Sequence, residues 1–243
     1  MGARLATKCR CRSMQLLFTC MLSRRYRCWE DAELRELIQR KAPWFLPTYD
    51  GYPYNIQRVD SSRYFLLHEY GGLYADMDIR PYPNVTGIIR NAFQPIHSRQ
   101  ASHEKHAVEL VSDDSEYLEA VLFPSTFQAW WLPPSGRITN AIMIAPRPGS
   151  KFFAQVIAGL QASYQTTPNV FYYMYILTSA GSRYINLQYL DAAEARPEGV
   201  GLVDLEVSRT RLEHVEGNSW HQEDVFGKIA DQVRPMIVKG DKD

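Results

Sequence analysis

Asp76 and Asp78 sit two residues apart in "LYADMDI", just after a double glycine and a tyrosine. On an extended strand, residues i and i+2 face the same way, so the two carboxylates would share one small volume. Ionised carboxylates that close repel unless a cation compensates them. A divalent metal with oxygen ligands is one resolution. A solvated acidic pair at a strand end is the other. Upstream, Asp60 and Arg63 stand three residues apart and add another acid and a planar cation with forked donors. The alternative for that second pair is a local ion pair, worth little if exposed.

These groups need elements to hold them. Ile56, Val59, Arg63, Leu66, Leu67 and Tyr70 recur at helical spacing, and Gly71-Gly72 supplies a helix stop. "LYADMDI" alternates: Leu73, Ala75, Met77 and Ile79 fall on one side, and Tyr74, Asp76 and Asp78 on the other. A strand with one packed face and one carboxylate-bearing face is therefore expected, ended by Pro81 and Pro83. "WEDAELRELIQRKAP" reads as a helix with acids in its first turn, and "PTYDGYPY" as turn chemistry. "RITNAIMIAP" reads as a buried strand, and Ser150 as the cap of a helix burying Phe153, Val156, Ile157 and Leu160. "VFYYMYIL" fits strand or helix, "GVGLVDLEV" a strand, and "NSWHQEDVFGKIADQV" a loop followed by a helix. Strands separated by helices predict an α/β sandwich with a mostly parallel sheet.

The 243 residues carry 27 basic and 27 acidic side chains. Residues 1–28 hold seven of the basic ones and no acid, leaving 20 against 27 in residues 29–243. So acidic a body is ill suited to a phosphate backbone, and nucleic acid is excluded as the expected partner. All four cysteines also lie within residues 1–28, so thiol chemistry is absent from the body. The expected division is a basic, Cys-containing leader over 1–28, either a weak targeting signal or a mispredicted start, and one catalytic domain over 29–243.

"VDSSRYFLLHEYGGLYADMDI" resembles the signature of glycosyltransferase family 32, the sugar-binding region with a D-x-D motif. Asp60, Arg63, Gly71, Gly72, Tyr74, Asp76 and Asp78 each fill a place in that pattern. Downstream, "HVEGNSWHQED" is similar to the family's late His…Ser-Trp signature through His214, Gly217, Ser219 and Trp220. The resemblance implies a GT-A type nucleotide-sugar-binding α/β/α sandwich and a retaining transfer. It implies that Asp78 binds Mn²⁺ (or Mg²⁺) directly, with Asp76 at the ribose or the metal's water shell and His214 at or near the metal. Asp60, Arg63 and Tyr74 would hold the donor sugar, with Asn140 near it, and Ser219 and Trp220 would bind the phosphates. The resemblance thereby implies Asp76 and Asp78 as the catalytic pair.

The late "SWH" followed by an acid looks most like inositol-phosphoceramide mannosyltransferases. GDP-mannose is therefore the preferred donor, with a UDP-sugar as the other. The acceptor would be a glycolipid or glycan, with peripheral membrane association and a Golgi or secretory-pathway membrane location in a eukaryote, otherwise a cytoplasmic one. A protein N-glycan mannosyltransferase and a non-catalytic nucleotide-sugar-binding relic stay open. A D-x-D phosphohydrolase is disfavoured, because Arg80 stands where those enzymes want Thr or Val. Two departures stand out: the usual first strand, read as "IPKIIHQ", is missing, and a usual Thr-Gly-Pro is replaced by "TSAG" at residues 178–181. His97, His103 and His106 read as a solvated loop, and Trp130, Trp131 and "FYYMY" as packing aromatics rather than an acceptor rim.

Overall fold

The computed structural model describes residues 27–82, 85–95, 108–110, 117–125, 138–169, 172–190 and 199–214. The leader before residue 27, the three loop histidines, Trp130, Trp131, Phe171, Ser219, Trp220 and the tail helix lie outside the described residues.

Helix α1 (Asp31–Lys41) begins with Asp31 and Glu33 in its first turn and buries Leu34, Leu37 and Ile38, as its periodicity predicts. The "PTYDGYPY" stretch differs from expectation, since its first half forms the short helix α2 (Leu46–Gly51), with Pro47 in the first turn where its missing N–H costs nothing. Helix α3 (Asn55–Tyr70) is the longest element before the acid pair. It buries Gln57, Asp60, Ser61, Ser62 and Arg63 as well as its apolar residues. A helix face that polar and that buried must satisfy its groups internally.

Gly71 ends α3 at φ 63, and its N–H donates to Leu67 O. A β-carbon there would lie 2.8 Å from the carbonyl carbon of Arg147, so both conformation and close approach demand glycine. The chain continues into β1 (Gly72–Ala75), a tight turn, and β2 (Ile79–Pro81). Next come α4 (Thr86–Ala92), β3 (Val108–Leu110), β4 (Ala120–Pro124) and β5 (Ile138–Ala145). Helix α5 (Lys151–Thr166) starts at Ser150, whose side chain accepts from Phe153 N–H. Helix α6 (Tyr172–Ser179) takes up the "YYMY" residues from Tyr172 onward, followed by α7 (Ser182–Leu190). The described chain finishes with β6 (Val200–Val203), α8 (Leu205–Arg211) capped by Asp204, and β7 (Leu212–His214).

The main sheet has the order β1-β5-β4-β6-β3, and β2 and β7 form a separate two-stranded ribbon. Along β5, Met143 and Ala145 enter one core and Ile142 and Ile144 the other, so helices cover both faces. The first core gathers α1, α2, α3, α5 and α7; the second gathers α4, β2 and β7. This is the expected α/β layering. The expectation of a mostly parallel sheet is corrected to a mixed one: β4–β6 is parallel, whereas β1–β5, β4–β5 and β3–β6 are antiparallel. Strand–helix alternation along the chain does not fix which strands pair: consecutive β4 and β5 are antiparallel, and the parallel pair β4–β6 is not consecutive. Here β1 sits against β5 and β3 against β6. Among the described residues no helix is long and apolar enough to cross a membrane.

Candidate functional site

The acid pair does not lie on a continuing strand. β1 stops at Ala75, and Asp76 N–H donates to Ala141 O (2.8 Å), tying the next residue to β5. Ile79 N–H then donates back to Asp76 O at 3.1 Å, closing a four-residue turn from Asp76 to Ile79. Leu73, Ala75 and Ile79 reach the second core as alternation predicts. Met77 does not: it is 62% exposed at the turn's tip. Asp76 and Asp78 are thus brought together as the first and third residues of a turn that switches the chain from the main sheet to the ribbon. One oxygen of Asp78, Oδ1, is buried.

Behind the turn lies a polar network centred on Arg63, which is only 3% exposed. Its Nη2 lies 3.0 Å from Asp60 Oδ1 and 3.2 Å from Asp76 Oδ1. Its Nη1 donates to the carbonyl oxygen of Asn140 at 2.9 Å. The Asn140 side-chain amide donates to Asp60 Oδ1 at 3.0 Å, and Tyr74 O–H donates to Asp76 Oδ1 at 2.7 Å. The guanidinium carbon stands 5.1 Å from the Tyr74 ring centroid. Four elements therefore meet at one cation: α3 through Asp60 and Arg63, β1 through Tyr74, the turn through Asp76, and β5 through Asn140. The fork geometry of arginine lets one side chain serve three of them. Arg63 Nε is buried and has no hydrogen-bond partner among the described residues.

Burial pushes the Asp60 carboxyl up to about 6; the Arg63 charge opposes that rise, Asp76 adds to it, and the Asn140 bond opposes it again. Burial by itself would weaken the proton's hold on Arg63, but Asp76, Tyr74 and Asp60 reverse this, and its pKa stands above its ordinary value. The guanidinium is a permanent buried cation between two acids. Removing Arg63 leaves both Asp60 and Asp76 without a cation in a poorly hydrated place.

His214, the first residue of the late motif, meets the strand after the turn through the backbone. In the β2–β7 ribbon, Ile79 pairs with His214, Arg80 with Glu213, and Pro81 with Leu212. Arg80 Nη1 contacts Glu213 Oε2 at 3.0 Å, an exposed cross-strand ion pair. The residue after Asp78 is thus the cross-strand partner of His214.

Sequence reasoning missed the turn following α6. Gly181 sits against Asp60, where a β-carbon on it would lie 3.1 Å from Asp60 Oδ2. Tyr64, the residue after Arg63, donates its O–H to Ala180 O at 2.8 Å. The only hint in sequence was the departure "TSAG" itself. Asn140, expected near the donor sugar, joins the network through both its carbonyl oxygen and its side-chain amide.

Two carboxylates in one turn are oxygen ligands of the kind a divalent cation such as Mn²⁺ or Mg²⁺ takes, although among the described residues no group of three or more His, Cys, Asp or Glu side chains comes together to hold one. Asp76 and Asp78 could offer it carboxylate oxygens, and Arg63 Nη2, 3.2 Å from Asp76 Oδ1, orients one of those carboxylates.

The family model for the glycosyltransferase sugar-binding region containing DXD motif matches residues 12–102, a span that includes Asp60, Arg63, Tyr74, Asp76 and Asp78. Inositol phosphoceramide mannosyltransferase 3 of Schizosaccharomyces pombe is 54% identical over 54 residues, which is 22% of this chain and 15% of that protein. Inositol phosphoceramide mannosyltransferase 2 of the same yeast is 51% identical over 53 residues, again 22% and 15%. Mannosyl phosphorylinositol ceramide synthase SUR1 of Saccharomyces cerevisiae is 46% identical over 54 residues, 22% and 14%. The chain therefore aligns with about a seventh of the length of these curated relatives. No solved structure matches it.

Proposed function

We propose that this chain, which carries the DXD-containing glycosyltransferase sugar-binding region over residues 12–102, is a metal-dependent retaining glycosyltransferase of GT-A type. Its donor is a nucleotide sugar, GDP-mannose by preference, and its acceptor a glycolipid of the inositol-phosphoceramide kind. The named activity of the yeast relatives supports the sugar and the acceptor. The observation that carries the reading is the Arg63 network: a cation, two carboxylates, an amide and a phenol converge behind the turn bearing Asp76 and Asp78. Sugars are recognised by such convergent polar groups, because each hydroxyl both donates and accepts.

In this reading Asp60, Arg63, Tyr74 and Asn140 orient the donor sugar. Asp78, with Asp76 and His214, would hold a Mn²⁺ or Mg²⁺, whose chemistry would be positive charge beside the departing diphosphate. Ser219 and Trp220 bring a hydroxyl and an indole N–H to the phosphates. The acceptor hydroxyl oxygen bonds to the anomeric carbon from the face the diphosphate leaves. The C–O bond breaks with its electron pair on the diphosphate, which takes the acceptor's proton. Work on a sphingolipid would place the chain at the surface of a secretory-pathway membrane.

The test is transfer of labelled mannose from GDP-mannose to inositol phosphoceramide with Mn²⁺, by wild type and Asp78→Ala. Transfer by wild type and its loss in the variant is the expected result. Equal transfer by both removes the proposal. Binding of GDP-mannose without any turnover would favour a non-catalytic relic instead.

A further inference from the structure

We propose that Tyr64 and Gly181 are positioning residues that set where the Asp60 carboxylate stands. This rests on the reading of Asp60 as a donor-sugar ligand. Asp60 Oδ1 is held on one side by Arg63 Nη2 and the Asn140 amide, both at 3.0 Å. Its other oxygen, Oδ2, faces Gly181, so the carboxylate is wedged between a charged fork and the turn joining α6 to α7.

That turn cannot retreat. Gly181 N–H and Ala180 N–H both donate to Ile176 O, at 3.2 and 3.3 Å, and Ile185 N–H donates to Gly181 O at 3.2 Å. Tyr64 ties it to α3 from below, donating its O–H to Ala180 O at 2.8 Å with Gly181 O at 3.3 Å. The Tyr64 ring is fully buried, stacked on Phe153 with centroids 6.5 Å apart. Tyr64 and Asp60 are four residues apart on α3, so the phenol that fixes the turn and the carboxylate it confines project from one helix face.

A β-carbon at 181 would lie 2.9 Å from Leu177 Cα, 3.2 Å from Ile176 O and 3.1 Å from Asp60 Oδ2. The first two are helix backbone and yield only by unwinding the end of α6. The carboxylate is the side chain in the group and yields by rotating, which moves Oδ1 off Arg63 and Asn140. Gly181 is thus required by the third, functional neighbour as well as by the turn.

Two arms test this with Gly181→Ala and Tyr64→Phe. In calorimetry with Mn²⁺, both variants should bind GDP-mannose at least tenfold more weakly than wild type while binding GDP within twofold of it. In an Asp60→Asn background, the added Gly181→Ala should change GDP-mannose affinity less than twofold. An equal loss for GDP and GDP-mannose, or an unchanged loss in the Asp60→Asn background, overturns the inference. The second arm needs no ligand: the Gly181→Ala effect on the unfolding equilibrium constant should be at least threefold smaller in Asp60→Ala than in wild type. Additive effects there would also overturn it. If wild type binds neither GDP-mannose nor UDP-glucose, the proposed function falls, and the ligand-free arm still decides the positioning of Asp60.

Discussion

Ile79 and His214 are cross-strand partners, and that single pairing joins the turn carrying Asp76 and Asp78 to the start of the late His…Ser-Trp stretch. Residues from opposite ends of the body thereby reach one place through backbone hydrogen bonds, with no long side chain needed to span the gap.

The first consequence concerns the metal. Asp78→Ala should lower Mn²⁺-dependent transfer at least 100-fold, and chelation of wild type should do the same, since one lost charge-stabilising group costs about 3–4 kcal/mol of barrier. Initial rates against Mn²⁺ concentration provide the check. Saturating Mn²⁺ restoring the variant to wild-type rate would contradict the assignment.

Arg63 should be intolerant of change. Arg63→Met leaves Asp60 and Asp76 without their shared cation, a loss of about 3–5 kcal/mol in stability. Arg63→Lys should recover only part of it, because one ammonium cannot reproduce the fork to Asn140 O, Asp60 and Asp76. Urea unfolding of the three proteins measures this. A near-neutral Arg63→Met would mean the network contributes nothing.

Stability should also carry a mark of Asp60. Its folded pKa of about 6 lies above the ordinary value of 3.8, so the native state holds the proton more tightly than the unfolded chain. The favourable contribution is fully present below pH 3.8 and is lost as pH rises from there through about 6, on the order of 2–3 kcal/mol. Asp60→Asn removes the titration. The wild-type-minus-variant stability difference, measured without metal, should therefore fall across that window and be flat above it. A difference that rises with pH would reverse the sign and refute the burial argument.

Gly71→Ala should destabilise by about 2–4 kcal/mol, since it forces φ 63 on an L-residue and puts a methyl 2.8 Å from the Arg147 carbonyl carbon. Thermal unfolding gives the number. A shift within error would show that the end of α3 relaxes freely.

The chemistry was legible because it is local. Asp60 and Arg63 fall within one turn of a helix, and the double glycine, Tyr74, Asp76 and Asp78 follow within eight residues of its end. The helix α1, the Ser150 cap and the buried strand β5 were legible for the same reason: periodicity and capping act over a few residues. Period-2 alternation overran at Met77, because a hydrogen bond from Ile79 to Asp76 O turns the chain before the pattern ends.

Residue types and short spacings thus determined the acid pair, its flanking glycines and the arginine able to compensate it. Only the tertiary structure decided that Asn140 and Gly181 close around Asp60, that β1 pairs with β5 in a mixed sheet, and that Ile79 meets His214. Those relations depend on which distant segments pack together. Such packing is set by burial and shape across the whole core, and no local pattern encodes it.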